Sequence, residues 1–380
     1  MKNARLFSTL SLILIPILIL TACGSPSAQP PIAQTEIPVA ESGCAQPSPK
    51  MEVTSKELNM FTWSEYIPDE IINCFEEVYG VTVNHDTFSS QSELLAKLER
   101  GASGYDVVQP SDDMVQLMVE KDLFAELDKS QLPVMSNFNP AFLNPAFDPD
   151  NKYSLPYQGG STGIVYNSET IKTPPTSYTD LWNAEYAGRI IAVDDSRTMI
   201  TLTLLALGYD ANSTDPAQLS EAKTKLKELT ANVRIFDSDS PKTALIGGEA
   251  DLGVIWSTEA FTTVVEKPAF QYVYPSEGVI LWQDNFTIMK DATHADAAYA
   301  WLNYLNQADV FWMVMRDHSG SNPNAAAVEY AKANQPDVYA AYMQSNISNV
   351  PAEAVTNGHW LKSLTPENAS IFDQLWVEVK

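Results

Sequence analysis

Between residues 57 and 118, segments with strand character alternate with segments with helix character, and this alternation most strongly restricts the fold. The pattern predicts strands at 57–62, 81–86 and 105–108, each followed by a helix. In the first helix, Pro68 suits the opening turn and apolar side chains recur at helical spacing up to Gly80. Strands that alternate with helices form a mostly parallel sheet covered on both faces, so we predict an α/β fold.

The rest of the chain continues the pattern, and two of its segments suggest crossings between domains. About 320 residues follow residue 56, which is enough for two domains of ordinary size. Residues 155–167 run from glycines into an apolar strand, and residues 285–289 continue directly from a predicted strand at 279–282. Glycines beside extended chain suit close backbone packing at a crossing. We also predict that residues 271–274 and 279–282 pair with each other around a turn. Further strands are predicted at 189–193, 233–236 and 252–256, and residues 128–153 are predicted to be irregular. Helices are predicted at 178–186, 199–207, 219–229, 243–247, 295–306, 308–317, 325–333 and 371–380.

Polar and aromatic residues gather at the ends of the predicted strands. They are Trp63 to Tyr66, Ser111 to Asp113, Asp194 to Ser196, Trp256, and Trp282 with Asp284. Open α/β sheets bind ligands at the carboxyl ends of their strands. An aromatic face attracts a cation by roughly 0.5–2 kcal/mol, and a carboxylate adds a charge-assisted hydrogen bond. We therefore predict a cleft with flat apolar walls and with carboxylates for ammonium groups. The alternative is that these aromatic side chains are core residues and the acids are solvated.

The N-terminus has the features of a secretion signal. Basic residues precede an apolar run at 6–20, and the segment from Leu20 to Cys23 fits the bacterial lipobox, in which the cysteine is lipidated. The run is short for a membrane span, so a retained transmembrane anchor is the weaker alternative. We predict a signal peptide at 1–22 and, from its Ser, Pro, Ala and Gln content, a lipid-anchored flexible tether at 23–56. The body of the chain is then extracytoplasmic, in the periplasm or its equivalent, and attached to a membrane.

The composition is strongly acidic. The chain has 48 acidic and 23 basic residues, which give a formal net charge of −25. Such a charge repels nucleic acid and anionic membranes and favours a cationic ligand, so no nucleic-acid partner is predicted. After lipidation of Cys23, only Cys44 and Cys74 remain, and the sequence leaves open whether they form a disulfide.

Enzymatic motifs are weak in this sequence. Residues 159–163 match the G-x-S-x-G nucleophile elbow around Ser161, but that motif needs a helix after the serine and a strand-like run follows here. The four histidines are scattered without the spacing of a zinc site. The Asp194–Asp195 pair could serve a glycosidase, although such pairs are commonly helix caps or cation ligands. We predict neither an enzyme nor a metal or cofactor site.

Several short segments carry a resemblance to a known family. They are Phe61 to Pro68, Tyr105 to Ser111, Phe147 to Pro149, Tyr153 to Tyr157, Asp194 to Arg197, Asp215-Pro216, Asn232-Val233, Gly253 to Trp256, and Trp282 to Asp284. In these segments the chain resembles the polyamine-binding proteins of ABC importers, the spermidine/putrescine receptors. The resemblance covers nearly all of the chain from about residue 57 onward.

The resemblance implies a two-lobed periplasmic-binding-protein fold, in which each lobe is a mixed sheet flanked by helices and the ligand cleft lies between the lobes. Lobe 1 would comprise residues 57–163 and 284–328. Lobe 2 would comprise residues 164–283 and 329–380.

The resemblance also implies a ligand site. Trp63 and Tyr66 would line the first lobe's side, Trp256 and Trp282 would wall the cleft, and Asp195 and Asp284 would pair with ligand ammonium groups. Hydrogen bonds would come from Ser64, Glu65 and Ser111. No catalytic residue is implied.

The sequence departs from the best-known spermidine receptors of this family at four positions. It has Asp113 where they carry a cleft tyrosine and Thr198 where they carry a glutamate. A later tyrosine aligns near Gly320, and a glutamine aligns with Leu361. We include Asp113 and Thr198 among the ligand-binding residues. These departures leave open whether spermidine, putrescine or another small cation fits best.

The expected function is capture of a polyamine outside the cytoplasm and its delivery to an ABC permease in the inner membrane. The expected protein is a monomer, attached to the membrane through the lipid on Cys23. Two alternatives stand beside this one. The same fold could bind another small cation or solute, such as a metal ion or a compatible solute, or the chain could be a secreted hydrolase that uses Ser161 or the acid pairs.

Overall fold

The structure is a computed structural model that describes residues 43–100 and 104–380. The strands are β1 (Glu57–Trp63), β2 (Thr82–Phe88), β3 (Val107–Val108), β4 (Ser154–Asn167), β5 (Ile190–Ala192), β6 (Val233–Phe236), β7 (Leu252–Trp256), β8 (Phe270–Val273), β9 (Ile280–Ile288) and β10 (His359–Trp360). The α-helices are α1 (Asp69–Tyr79), α2 (Gln91–Leu98), α3 (Asp112–Glu120), α4 (Ser196–Ala206), α5 (Pro216–Thr230), α6 (Lys242–Ile246), α7 (Ser257–Glu266), α8 (Ala295–Leu305), α9 (Ala308–Asp317), α10 (Ala325–Asn334), α11 (Pro336–Gln344), α12 (Ala352–Asn357) and α13 (Pro366–Val379).

The strands form one mixed sheet. Its order is β2-β1-β3-β9-β4-β7-β5-β6, with β10 beside β9 and β8 beside β4. Strands β1, β2 and β3 pair in parallel, and so do β5, β6 and β7. Between these two groups, the antiparallel pairs β3–β9, β9–β4 and β4–β7 connect one parallel group to the other. This arrangement confirms the predicted α/β class with mixed sheets flanked by helices.

Two large apolar cores lie at different places along this sheet. The first includes Leu58, Phe75 and Trp301, and the second includes Ile191, Leu204 and Trp376. Strands β4 and β9 contribute to both: Tyr157 and Phe286 belong to the first core, whereas Ile164 and Ile280 belong to the second. Two cores joined through two strands fit the two-lobed fold predicted from the sequence. The division into 57–163 with 284–328 and 164–283 with 329–380 stays a prediction.

Helix α1 shows how local sequence fixes the loop that leaves β1. Asp69 and Glu70 lie in its first turn, where the helix dipole favours acidic side chains. Its buried face consists of Ile71, Ile72, Phe75, Val78 and Tyr79. Gly80 ends the helix at φ 65°, a left-handed conformation that glycine adopts without steric cost. The loop at residues 64–68 is therefore held between a buried strand and a helix packed on the first core.

The predicted pairing of residues 271–274 with 279–282 is wrong. Strands β8 and β9 both pair with β4 and lie one after the other along the same edge of it. Residues 154–162 of the long strand β4 pair with β9, and residues 164–167 pair with β8. Strands β8 and β9 therefore lie end to end beside β4 and not side by side. The turn at Gly278, with φ 92°, packs against Asn357 and His359 instead.

The helical content is higher than the sequence indicates. Helices α7, α11 and α12 are additional to the predicted ones. The stretch at 128–153, predicted to be irregular, contains four short 3₁₀ helices.

Residues 43–56 are held on the body of the protein, which differs from the prediction of a flexible tether up to residue 56. Cys44 and Cys74 form a disulfide with their Cα atoms 5.4 Å apart. The carboxylate of Asp296 accepts hydrogen bonds from the backbone N–H of Thr54 at 2.7 Å and from its hydroxyl at 2.8 Å.

The predicted signal peptide, Cys23 and the remainder of the tether lie outside the described residues. Within residues 43–100 and 104–380, no helix combines the length and the apolar character that crossing a membrane requires.

Candidate ligand-binding pocket

The residues predicted to bind a ligand come together around one cavity of about 90 Å³. All eleven line it: Trp63, Ser64, Glu65, Tyr66, Ser111, Asp113, Asp195, Thr198, Trp256, Trp282 and Asp284. Cys23, predicted to be lipidated, is not among the described residues. The binding role of each lining residue stays a prediction, but their convergence is a structural fact.

Strand register explains why residues so far apart in sequence meet. Because β1 and β3 are parallel neighbours, the segments after them emerge at one edge of the sheet. Strand β9 runs antiparallel to β3, and an isolated bridge pairs Ser111 with Asp284. Strand β4 completes the arrangement, since its Thr162 pairs with Trp256 and its Gly160 pairs with Trp282.

Three tryptophans give the pocket flat apolar surfaces. The rings of Trp63 and Trp256 lie 5.4 Å apart, edge to face at 64°, and Trp63 also packs on Phe88 at 4.7 Å. The ring of Trp282 lies directly over Gly160, where an added β-carbon would be only 2.2 Å from the ring atoms. Such walls suit the methylene groups of a ligand and attract cations through the ring quadrupole.

Asp284 is a buried carboxylate held only by neutral donors. Its side chain accepts hydrogen bonds from the hydroxyl of Tyr66 at 2.8 Å and from that of Ser111 at 2.5 Å. No lysine, arginine or histidine of the described residues forms an ion pair with it. Burial raises the pKa of Asp284 from 3.8 to about 6, although the two hydrogen bonds oppose the shift. A ligand ammonium would supply the missing charge.

Tyr66 is fixed as a hydrogen-bond donor. Burial raises the pKa of its hydroxyl well above the usual range, so the proton stays on the oxygen. The hydroxyl of Tyr157 donates to the backbone carbonyl of Tyr66 at 2.7 Å and positions this part of the loop.

A second acidic group lies around Arg197. The carboxylate of Asp195 caps α4 by accepting from the Thr198 backbone N–H at 2.7 Å. Burial and the neighbouring Asp195 raise the pKa of Asp113 to about 6, while the charge of Arg197 opposes that rise. The guanidinium of Arg197 donates to the side chain of Asn212 at 2.9 Å and to the carbonyl of Lys362 at 3.1 Å. The arginine is thus held by uncharged acceptors and leaves the acids of the group without a close ion pair.

Glu65 differs from the other carboxylates because a lysine of the protein is bound to it. The ammonium of Lys242 lies 2.6 Å from Glu65 and 3.0 Å from both carboxylate oxygens of Glu259. The hydrogen bond from Lys242 lowers the pKa of Glu65. Next to it, the hydroxyl of Ser64 donates to Asp239. The two residues predicted to bond to the ligand here already have partners in the segment 239–242.

The charges around the pocket are strongly unbalanced. Seven carboxyl groups line it, on Glu65, Asp112, Asp113, Asp195, Asp239, Glu259 and Asp284, against one cationic lining residue, Arg197. Even with Lys242 counted, negative charge dominates. The pocket is therefore suited to a ligand with more than one positive charge.

A larger cavity of about 730 Å³ adjoins this pocket. The two cavities share Asp112, Leu281, Trp282 and Leu361. The larger one has Asp112 as its only acidic lining residue and Lys362 as a basic one, among mostly apolar and amide side chains. Charge complementarity with a cation therefore favours the smaller cavity.

The four departures from the best-known spermidine receptors have different structural settings. Asp113, Thr198 and Leu361 line the pocket. Gly320 does not; an added β-carbon there would lie 2.6 Å from the side-chain oxygen of Gln158 and 2.7 Å from the carbonyl of Gly159. The backbone at Gly320 therefore leaves no room for a tyrosine.

The structure adds residues that the sequence-based site lacks. Asp112, Arg197, Asp239 and Glu259 also line the pocket, and Lys242 binds two of its carboxylates. Asp112 and Arg197 stand within segments already recognised, and Glu259 follows the end of β7 by three residues, so strand-end position could have identified them. Nothing in the sequence marks Lys242, whose contact with Glu65 spans 177 positions.

The segment around Ser161 is not the strand-to-helix turn that the nucleophile-elbow motif requires. Ser161 lies in the middle of β4, with strand on both sides, and its hydroxyl is 2.9 Å from that of Tyr272. It is not among the residues lining the pocket. In the part of the chain that the structure describes, no group of three or more His, Cys, Asp or Glu side chains is arranged to hold a metal ion.

Comparison with known proteins agrees with this geometry. Residues 70–344 match the family model for bacterial extracellular solute-binding proteins. The spermidine/putrescine-binding periplasmic protein of Escherichia coli is 34% identical over 325 residues, which cover 85% of this chain and 91% of that protein. A solved structure from Listeria monocytogenes, named provisionally as a spermidine/putrescine ABC transporter, matches with a TM-score of 0.81 at 30% identity. The match covers 86% of this chain and 99% of the Listeria chain.

A lipoprotein of Treponema pallidum has a similar structure, with a TM-score of 0.73 at 25% identity over 85% of this chain and 99% of its own. The family match spans most of the chain and agrees with the two cores and the pocket beside the strands that join them. The chain belongs to the family of bacterial extracellular solute-binding proteins.

Proposed function

We propose that this protein captures a small polyamine outside the cytoplasm and delivers it to the permease of an ABC importer. The observation that carries the proposal is Asp284, a buried carboxylate at the tryptophan-lined pocket that has two neutral donors and, among residues 43–100 and 104–380, no cationic partner. Burying such a charge costs free energy until a cation arrives. The names of the relatives support a polyamine as that cation.

The ligand's charges and its hydrocarbon chain each have a complementary surface. One ammonium group bonds to Asp284, and the methylenes lie between the rings of Trp63, Trp256 and Trp282. A second ammonium group is placed near Asp113 and Asp195, which surround the pocket on the side of α4. In this assignment Ser111 and Tyr66 act by holding Asp284, and Thr198 acts by holding Asp195.

The energy required is modest. Micromolar affinity corresponds to about −8 kcal/mol. Two charge-assisted hydrogen bonds at roughly 1.5–3 kcal/mol each, together with burial of the methylenes, supply this after the cost of ordering the ligand is subtracted.

The transport cycle follows from the two-lobed fold. The two lobes close over the amine, and the closed form docks on the permease. Binding involves no chemical step and no cofactor, so the protein acts as a receptor and not as an enzyme. The lipobox supports attachment through lipidated Cys23, which would keep a monomeric receptor near its permease.

Calorimetric titration of the full-length protein with putrescine and then with spermidine tests this proposal. We expect one site of micromolar or tighter affinity for at least one of the two amines. The uncharged diol with the same chain length as putrescine is the matched control, and it should not bind. Absence of amine binding to folded protein would refute the polyamine assignment, and binding of a different cation in a thermal-shift panel would replace it.

A further inference from the structure

Lys242 has all of its hydrogen-bonding capacity used at the edge of the pocket. A lysine ammonium has three donors, and here it has three carboxylate oxygens within reach, one on Glu65 at 2.6 Å and two on Glu259 at 3.0 Å. The Lys242 side chain is only 16% exposed and that of Glu259 only 11%. We propose that Lys242 occupies the Glu65 end of the pocket with its own ammonium group and thereby selects diamines over triamines.

This inference rests on the proposed polyamine function and concerns which amine the pocket prefers. Glu65 is the residue that strand-end position predicts as a ligand contact, and it lines the pocket. Its carboxylate also accepts a hydrogen bond from the hydroxyl of Ser240 at 3.3 Å. The segment that supplies Lys242 therefore gives Glu65 both a charge partner and a neutral donor.

The backbone holds Glu65 in this arrangement. Its φ is 49°, in the left-handed region that a residue with a side chain rarely adopts. Such conformations persist where the surroundings fix them, commonly at ligand sites. Lys242 is equally constrained, because it is the first residue of α6 and its side chain is largely buried.

A ligand ammonium that reached Glu65 would have to lie beside the ammonium of Lys242. Like charges at that distance repel, and a repulsive group of this kind is a common way to exclude a competing ligand. The other carboxylates of the pocket that have no resident lysine are Asp112, Asp113, Asp195, Asp239 and Asp284.

Two of these five are less suited to bind an ammonium group of the ligand. Asp239 is exposed, so a bound ammonium removes little desolvation cost there, and Asp112 also lines the larger cavity. The remaining acids are Asp284, which is held by Tyr66 and Ser111, and the group of Asp113 and Asp195 around Arg197. This provides two places for ammonium groups, which match the two charges of a diamine.

The decisive experiment is calorimetric titration of the full-length wild-type protein and its Lys242→Met variant with putrescine and with spermidine. We expect the wild-type protein to bind putrescine more tightly than spermidine. In Lys242→Met, the affinity ratio should move toward spermidine by at least tenfold. Lys225→Met is the matched control, because Lys225 forms a surface ion pair with Glu228 at 2.9 Å, and its ratio should equal that of the wild type.

Two double variants keep the test decisive. In Lys242→Met with Glu65→Gln, the gain for spermidine should disappear, since the carboxylate that produces it is gone. If Lys242→Met alone does not fold because Glu259 is left buried without a cation, Lys242→Met with Glu259→Gln removes that charge and should show the same shift toward spermidine.

The outcomes separate this inference from the proposed function. A wild-type protein that binds neither amine refutes the polyamine assignment, and the selection by Lys242 falls with it. A wild-type protein that binds an amine, with a ratio that Lys242→Met leaves within threefold of the original, overturns the selection by Lys242 alone. Tighter binding of spermidine than of putrescine by the wild type also overturns it.

Discussion

Asp284 and Glu65 are both carboxylates that line the same pocket, but their surroundings differ. Asp284 is 5% exposed and is held by the hydroxyls of Tyr66 and Ser111. The Glu65 side chain is 53% exposed and is bound by Lys242, which also neutralises Glu259. The pKa of Asp284 is raised to about 6 by burial, whereas the pKa of Glu65 is lowered by the lysine.

These surroundings determine which of the two carboxylates gains more free energy from a bound cation. A buried carboxylate without a cation carries a desolvation cost that a bound ammonium removes, whereas a carboxylate with a resident lysine has little left to gain. Glu259 lies between the two cases, because burial raises its pKa while Lys242 opposes the rise. Within the described residues, Asp284 thus forms no ion pair, whereas Glu65 is paired with Lys242.

The largest expected effect on ligand affinity comes from removing the charge of Asp284. In Asp284→Asn, the side chain keeps its shape but has no charge, so polyamine affinity should fall by at least tenfold in calorimetric titration. Asp122→Asn is the control, because Asp122 pairs with Lys290 on the surface and should leave affinity at the wild-type value. Near-normal affinity in Asp284→Asn would remove Asp284 from the ligand site.

Asp284→Asn and Lys242→Met should change the free energy of unfolding in opposite directions. Without ligand, ionised Asp284 costs about 3 kcal/mol, since its pKa rises from 3.8 to about 6 and each unit is worth about 1.4 kcal/mol. Asp284→Asn should therefore increase the free energy of unfolding by about 1–3 kcal/mol at pH 7.5. Lys242→Met should decrease it by about 2 kcal/mol, because it leaves Glu259 buried and unpaired, while Glu65 remains solvated. Denaturant unfolding of both variants, without amine, measures these changes.

The pH dependence gives an internal control for this pair of variants. The folded state holds the Asp284 proton more tightly than the unfolded state, so the contribution of Asp284 to wild-type stability decreases as the pH rises from about 4 to about 6. The advantage of Asp284→Asn should grow over that interval, stay constant above it and vanish below pH 4. A constant advantage at every pH would show that charge is not its cause.

The smallest expected effect is a shift in the pH dependence of binding when Tyr66, whose hydroxyl holds Asp284, is replaced. In the wild type, polyamine affinity should fall as the pH drops below about 6, where both Asp284 and Asp113 take up protons. Tyr66→Phe removes a donor to the ionised carboxylate, so the midpoint for Asp284 should move upward by less than about one pH unit. Titrations between pH 5 and pH 8 measure the shift. Tyr209→Phe, which removes a similar bond to Glu221 on the surface, should leave the midpoint in place.

Much of the fold could be predicted because apolar strand segments are local signals. The predicted strands at 233–236 and 252–256 match β6 and β7 at both ends. The pairing of β8 could not be read in the same way, because it depends on how much of the β4 edge β9 occupies. Helices α11 and α12 lack a strong apolar stripe; within α11 no residue is fully buried.

The positions around the pocket could be predicted, but their electrostatic states could not. Strand-end position accounts for ten of the eleven predicted residues, since the ends of neighbouring strands meet at one edge of a sheet. Thr198 is predicted only from the family resemblance. Whether a carboxylate there has a cation depends on contacts from distant parts of the chain. Glu65 and Asp284 look equivalent as acids at strand ends, and only the position of Lys242 in space distinguishes them.

Gly160 leaves room for the ring of Trp282, which lines the pocket, and this contact is independent of the pocket's charge. The Trp282 ring lies where a β-carbon would be, so any side chain at this position would push the ring out of its place. The acids proposed to recognise the charge of the ligand belong to other segments, at residues 113, 195 and 284. The space beside the Trp282 ring and the charge of the pocket therefore depend on different residues. A lineage of such receptors could change one of these properties by a single substitution while the other stays under selection.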